Sequence, residues 1–160
     1  MNKNIILLTS VLMLSGVSAH ANEQDKSVPV NLYVEATVLD YTVPESISMY
    51  VKANSNEADI DDMKITNNSK VGVIQIKNIS ALAINDYTKV EDISDFSKLP
   101  MNSKKASLVF RNHDMMTDYK EVIEVDPECD ETLSFTGHSN ATTEIVADQP
   151  FEIIMTVGFK

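Results

Sequence analysis

Phe151-Glu152-Ile153-Ile154-Met155-Thr156-Val157-Gly158-Phe159 decides the fold, because every odd-numbered position in it is large and apolar. A period of two puts those five side chains on one face of an extended chain, whereas a helix would scatter them around its axis. The stretch reads as a half-buried strand. A second such stretch lies near the other end, where Val30, Leu32, Val34, Ala36 and Val38 alternate with Asn31, Tyr33, Glu35 and Thr37.

The segments between the two repeat the theme in shorter form. Pro44 breaks the first run, and Ile47, Met49 and Val51 resume it. Residues 52–62 are polar and acidic and read as a loop. Met63 and Ile65 begin a strand that closes in the turn sequence Thr66-Asn67-Asn68-Ser69. Val71 and Val73 share one face and Ile74 and Ile76 the other, a phase change beside Gly72 that predicts a bulge or a strand buried on both faces. Ala81–Ile84 extends that strand or begins an edge element. Residues 85–104 read as a long loop with a short strand near Tyr87–Val90.

Further strands are predicted at Ala106–Phe110, Glu121–Val125 and Leu133–Phe135, with turns at His113–Thr117 and Gly137–Asn140. No window carries two full turns of a 3.6-residue apolar stripe. About eight short strands with frequent turns predict an all-β fold, an antiparallel β-sandwich of Ig-like, Greek-key type.

The first 21 residues predict an address. Lys3, the apolar run from Ile5 to Val17 and Ala19-His20-Ala21 have the order of a secretory signal: charge, short hydrophobic core, small-x-small cleavage site. No later run approaches the roughly 20 apolar residues of a spanning helix, so a membrane-spanning chain is not expected. The expected organisation is a signal over residues 1–21, a polar leader over 22–27 and a single sandwich domain over 28–160. Cleavage near Ala21 would place the mature chain in the periplasm, at the cell surface or outside the cell.

The whole chain has a formal net charge of -11, and losing residues 1–21, with one Lys and no acid, makes the remainder more negative still. Such a surface repels nucleic-acid phosphate and anionic headgroups, which excludes nucleic acid as an expected partner. The single cysteine, Cys129, offers no internal disulfide, and its acidic neighbours Asp126, Glu128, Asp130 and Glu131 disfavour a reactive thiolate.

Catalytic constellations are absent from the pattern. His113 and His138 fall in predicted turns, with no spacing that would set two imidazoles on one metal. Gly137-His138-Ser139-Asn140-Ala141 approaches the nucleophile elbow of α/β-hydrolases but lacks the strand-to-helix context. A non-enzymatic protein is expected, with no obligatory cofactor. The acidic loops leave one alternative, a secreted module binding calcium or another ligand through Asp59, Asp61, Asp126, Glu128 and Asp130, since calcium takes six to eight hard oxygens.

Val43-Pro44-Glu45-Ser46-Ile47 followed by Ile65-Thr66-Asn67-Asn68-Ser69-Lys70-Val71-Gly72-Val73 resembles small secreted β-sandwich proteins of bacterial surfaces. The layout is similar to WxL-type cell-wall-binding domains, although this chain has no tryptophan. It is also similar to chaperone–usher pilins, on the alternating segment Val30–Val38 and the alternating C-terminal strand with its penultimate aromatic, Phe159. Ala147 stands where pilins usually carry a glycine, and the paired cysteines of many pilins are missing.

The resemblance implies a structural or adhesive, fimbrial-subunit-like protein that meets a protein partner or itself through a strand edge. It marks Val30, Leu32, Val34, Ala36, Val38 and Phe159 as the residues of that contact. Two arrangements remain open for Val30–Val38, pairing inside its own domain or completing a neighbour. The first is the expectation, because a closed fold leaves no apolar edge exposed.

Overall fold

The computed structural model describes residues 29–92 and 94–160. The expected signal, the polar leader and Val28 lie outside the described residues. Two units divide the chain between Val34 and Glu35. The described part of the first, residues 29–34, carries no strand or helix, and its side chains are exposed.

The second unit carries twelve strands in three sheets. They are β1 (Tyr41–Thr42), β2 (Met49–Val51), β3 (Glu57–Ile60), β4 (Met63–Asn67), β5 (Ile74–Ala83), β6 (Thr88–Lys89), β7 (Lys105–Phe110), β8 (His113–Asp114), β9 (Ile123–Val125), β10 (Asp130–Leu133), β11 (Phe135–Ser139) and β12 (Phe151–Phe159). The sheet orders are β1-β4-β10, β2-β3-β11-β7-β6 with β8 hairpinned onto β7, and β12-β5-β9. Every named pairing is antiparallel except the short parallel contact of β6 with β7. Among the described residues the only helical element is one 3-10 turn, Phe96–Lys98. The protein is all-β and fits a β-sandwich.

The first two sheets are joined by strands they share. Only Asp61 and Asp62 separate β3 from β4, and only Ser134 separates β10 from β11. Because β4 pairs β10 and β3 pairs β11, one long antiparallel ribbon passes from the first sheet to the second. The third sheet supplies the rest of the core. Its Ile74, Ile76, Ile79 and Val125 pack with Ile65 and Leu133 of the first sheet and Phe110 and Phe135 of the second. Ile65, Ile74, Ile76, Phe110 and Leu133 are wholly buried, and each such side chain stabilises the fold by about 1.5–3 kcal/mol.

One polar side chain is built into this core. Asn67 is fully buried, and its Nδ2 donates to the carbonyls of Gly72 and Val125, both at 3.0 Å. Its Oδ1 accepts from the Ser69 N–H at 3.1 Å, so the side chain is satisfied on both ends and clamps the turn between β4 and β5.

Several expectations need correction. Val30–Val38 forms no strand; the first strand begins at Tyr41. Part of the predicted acidic loop, Glu57–Ile60, is β3, because Ala58 is buried against β11 while Glu57 and Asp59 face out. Val71 is exposed and Gly72 sits in a turn at φ 91°, so the bulge is elsewhere. Lys77 is the extra residue, where β12 slips register between Thr156 and Val157. Gly137–Ser139 lies in β11, not in a turn; a Cβ on Gly137 would come 2.3 Å from the Ser107 carbonyl, so only glycine admits that close pairing. The hairpin turn after β7 is Arg111-Asn112, both at positive φ as a two-residue mirror-image turn requires; of the expected turn, His113–Asp114 is strand and Met115–Thr117 does turn. The twelve strands exceed the expected eight or so because β1, β3, β8 and β10 fall wholly or largely outside the segments read as strands.

Candidate functional site

β12 is the longest stretch of unfinished surface. Among the described residues it pairs only with β5, from Phe151 opposite Ala83 to Phe159 opposite Ile74, so its other edge offers a row of free backbone donors and acceptors. Nine residues carry a single charge, Glu152, and no proline, so nothing in the strand blocks a further strand.

The inward face of β12 is unfinished too. Phe151, Ile153, Met155, Val157 and Phe159 pack on the core but stay only half-buried, together with Leu39, Val43, Ile47 and Ile60. Between the start of β12 and the segment Pro44–Met49 lies a groove of about 670 Å³, floored by Ile60, Met63 and Leu108 and walled by Ile47, Phe151 and Ile153. Glu45, Ser46, Ser48, Asp148 and Gln149 share its lining, and it meets β12 only at Phe151–Ile153.

Polar contacts fix the two ends of this edge. At the Phe151 end, the loop 141–150 is tied down by Lys104 to Asp148 (3.1 Å), Asn102 Nδ2 to Thr143 Oγ1 (2.9 Å) and Asn85 Nδ2 to the Gln149 carbonyl (3.0 Å). The bond from Lys104 holds the Asp148 carboxyl below the usual carboxylate range. At the other end, Lys160 reaches Glu124 at 2.8 Å, and this bond with that from Gln75 lowers the Glu124 pKa. The Phe159 ring lies against Gly72, where a Cβ would come to 3.0 Å of it.

The alternating N-terminal segment lies in no strand. Val30, Leu32, Val34 and Val38 are 91, 84, 80 and 76% exposed, and Ala36 is exposed as well. Leu39 is the first side chain to pack on the core, and the next residue anchors the chain: the Asp40 carbonyl accepts from the Asn68 N–H at 3.0 Å. The expectation that Val30–Val38 pairs inside its own domain is therefore corrected, since these side chains are left in water.

The acidic residues do not gather into a cage. Among the described residues no three His, Cys, Asp or Glu side chains come together as a metal site would need. Asp59 pairs with Lys52 at 2.8 Å, Asp61 accepts from the Ser48 N–H at 3.1 Å, and Asp130 takes Lys64 at 2.6 Å and Thr66 at 2.6 Å. Asp126 and Glu128 lie exposed or half-exposed in the turn before Cys129. The calcium candidates are thus spread along strand and turn, with two of them, Asp59 and Asp130, paired to lysines. Cys129 is exposed and free.

The two histidines are not free turn residues. His138 lies half-buried in β11, its Nδ1 2.7 Å from Asp92, with the Phe96 ring stacked at 5.3 Å. Ser107 donates to the same carboxylate at 2.6 Å and accepts from the His138 N–H at 3.0 Å. Burial works to raise the Asp92 pKa, but the bonds from Ser107 and His138 outweigh it and the net shift is downward. The serine hydroxyl is directed at the carboxylate, not at the imidazole, so the trio lacks the nucleophile–base contact of a hydrolase and instead pins the loop 91–98 over the sheet. His113 Nε2 meets the Thr117 carbonyl at 3.1 Å.

Alternation in the chain marks β12 and the exposed segment Val30–Val38, but not the floor of the groove. Ile60, Met63 and Leu108 look like ordinary core residues in the chain, and only their convergence below an open edge distinguishes them. No helix among the described residues is long and apolar enough to cross a membrane. No protein-family model, curated protein or solved structure was found to match this chain.

Proposed function

We propose that this protein is an exported, non-enzymatic bacterial subunit of the periplasm or cell surface, structural or adhesive in role. It associates with further copies of itself by strand addition. In the proposed contact, residues 30–38 of one copy lie along β12 of the next, and Val30, Leu32, Val34, Ala36 and Val38 extend its half-buried apolar face. One observation carries this reading: a nine-residue open edge over a half-exposed apolar floor, and in the same chain a nine-residue exposed segment of matching alternation.

The physics favours association over exposure. Strand addition satisfies the free backbone groups of β12 and removes apolar surface from water on both partners at about 25 cal/mol per Å². Against it stands the ordering of the donated segment, about 1–2 kcal/mol per residue, which is why a long, well-matched segment is needed.

Light scattering of the mature protein, with and without residues 22–38, tests the reading. Concentration-dependent multimers that vanish on truncation, while the truncated protein stays folded, are the expected result. A monomeric mature protein whose truncation unfolds it refutes strand donation.

A further inference from the structure

The outward face of β12 carries a feature that the groove does not use. Ile154 is 47% exposed there, and Leu82 of β5 is 51% exposed on the same face. Ile154 sits opposite Ser80 and Glu152 opposite Leu82, which makes Ile154 and Leu82 diagonal neighbours across the two strands. A pair of large aliphatic side chains is left in water on the solvent side of a sheet, next to its open edge. The donor segment has a counterpart: among its outward positions Asn31, Tyr33, Glu35 and Thr37, only Tyr33 is large and aromatic, and it is 93% exposed.

Register links these two facts. A strand added to β12 with its five apolar residues inward must place its other residues beside Glu152, Ile154, Thr156 and Gly158, since opposed residues point to the same face. If the added strand runs parallel with full overlap, Tyr33 falls opposite Ile154. If it runs antiparallel with full overlap, Tyr33 falls opposite Thr156, one diagonal step from Ile154. Aromatic side chains reach both direct and diagonal neighbours.

Resting on the strand-addition reading above, we infer that Tyr33 of one copy covers the Ile154–Leu82 patch of the next. The donated strand is thereby gripped on both faces, the valines and leucine against the half-buried inward face of β12 and the tyrosine closing a diagonal row Tyr33–Ile154–Leu82 over three strands. The ring hydroxyl stays at the water-facing end of this row, where a phenylalanine would gain nothing and a small polar residue would leave Ile154 bare. Tyr33 thus becomes a specificity residue, rewarding an incoming segment that presents an aromatic at the fourth of its nine positions.

A double-substitution cycle tests this on preformed multimers of the mature protein. Tyr33→Thr and Ile154→Thr both place a β-branched, strand-compatible residue on the outward face, so the fold and the inward contacts are retained. Each is expected to speed multimer dissociation about fivefold, the kinetic equivalent of one cross-strand aromatic–aliphatic pair. Combined, they are expected to do little more than either alone. If multimers form and Tyr33→Thr leaves their dissociation unchanged, or the two effects simply multiply, the outer contact is wrong while strand addition survives. If removal of residues 22–38 leaves the association state unchanged, strand addition itself fails and the outer contact with it. A monomer melting temperature equal to that of the parent protein is required of both variants. Should Ile154→Thr not meet it, the cycle is run with Leu82→Thr against Tyr33→Thr, with the same expectations.

Discussion

Leu32→Ala separates the two places that this side chain could belong. Leu32 is 84% exposed and lies outside every strand, so its truncation removes almost no contact from the isolated subunit. Exposed substitutions of this kind change stability by at most about 0.5 kcal/mol. For a domain of this size that is a shift of about 2 °C in melting temperature. In the strand-added state the same leucine packs beside the apolar face of β12, and losing its three outer carbons costs about 2 kcal/mol, which weakens association roughly thirtyfold. The assay is paired: thermal unfolding of dilute monomer by circular dichroism, and light scattering over a concentration series. The expected result is an unchanged melting temperature with the onset of association moved up by more than a decade in concentration. A fall in melting temperature of roughly 8 °C with unchanged association would refute the reasoning, because it would show Leu32 buried in its own domain.

Gly137→Ala is expected to destabilise the fold by several kcal/mol, since the new methyl would meet the backbone carbonyl of Ser107 at 2.3 Å and neither strand has a flexible side chain to yield; urea unfolding measures it. Asn67→Ala removes the partner of two buried carbonyls and of the Ser69 N–H, and is expected to cost about 1–3 kcal/mol in the same assay. The lowered Asp92 pKa means that its folded-state carboxylate stabilises the protein above the ordinary carboxylate pKa, and that this contribution is lost as pH falls through the depressed value. Acid titration followed at the His138 ring by NMR should therefore show the contact with Phe96 persisting through mild acidification, and Asp92→Asn should abolish that part of the acid dependence. Millimolar calcium is expected to leave the melting temperature unchanged, because the carboxylates of Asp59 and Asp130 are already held by lysines and no three acids converge among the described residues; a clear rise would reinstate a calcium site.

What the chain reveals by itself is whatever period two encodes. Alternation in Phe151–Phe159 identified β12 and its inward face, and the shorter runs located β4, β7 and β9 within a residue or two. It also marked Val30–Val38 as a segment able to bury one face. Alternation says nothing about which strand lies beside which, because any strand with a polar and an apolar face looks alike whatever its neighbour. Nor does it separate a strand from a segment that has the faces of one but no partner, which is why the N-terminal run read as an internal strand.

The tertiary structure decided those matters. It left the edge of β12 unpaired among the described residues and gathered Ile60, Met63 and Leu108 beneath it from three separate strands. It also drew Asp92, Ser107 and His138 together across 46 positions of sequence. The acidic residues, close in the chain, were tied instead to separate partners, Asp59 to Lys52, Asp61 to the Ser48 N–H and Asp130 to Lys64 and Thr66. Faces are a local property, fixed by the backbone period of a few residues; pairing and convergence depend on contacts between residues far apart in the chain, and only the folded molecule sets them.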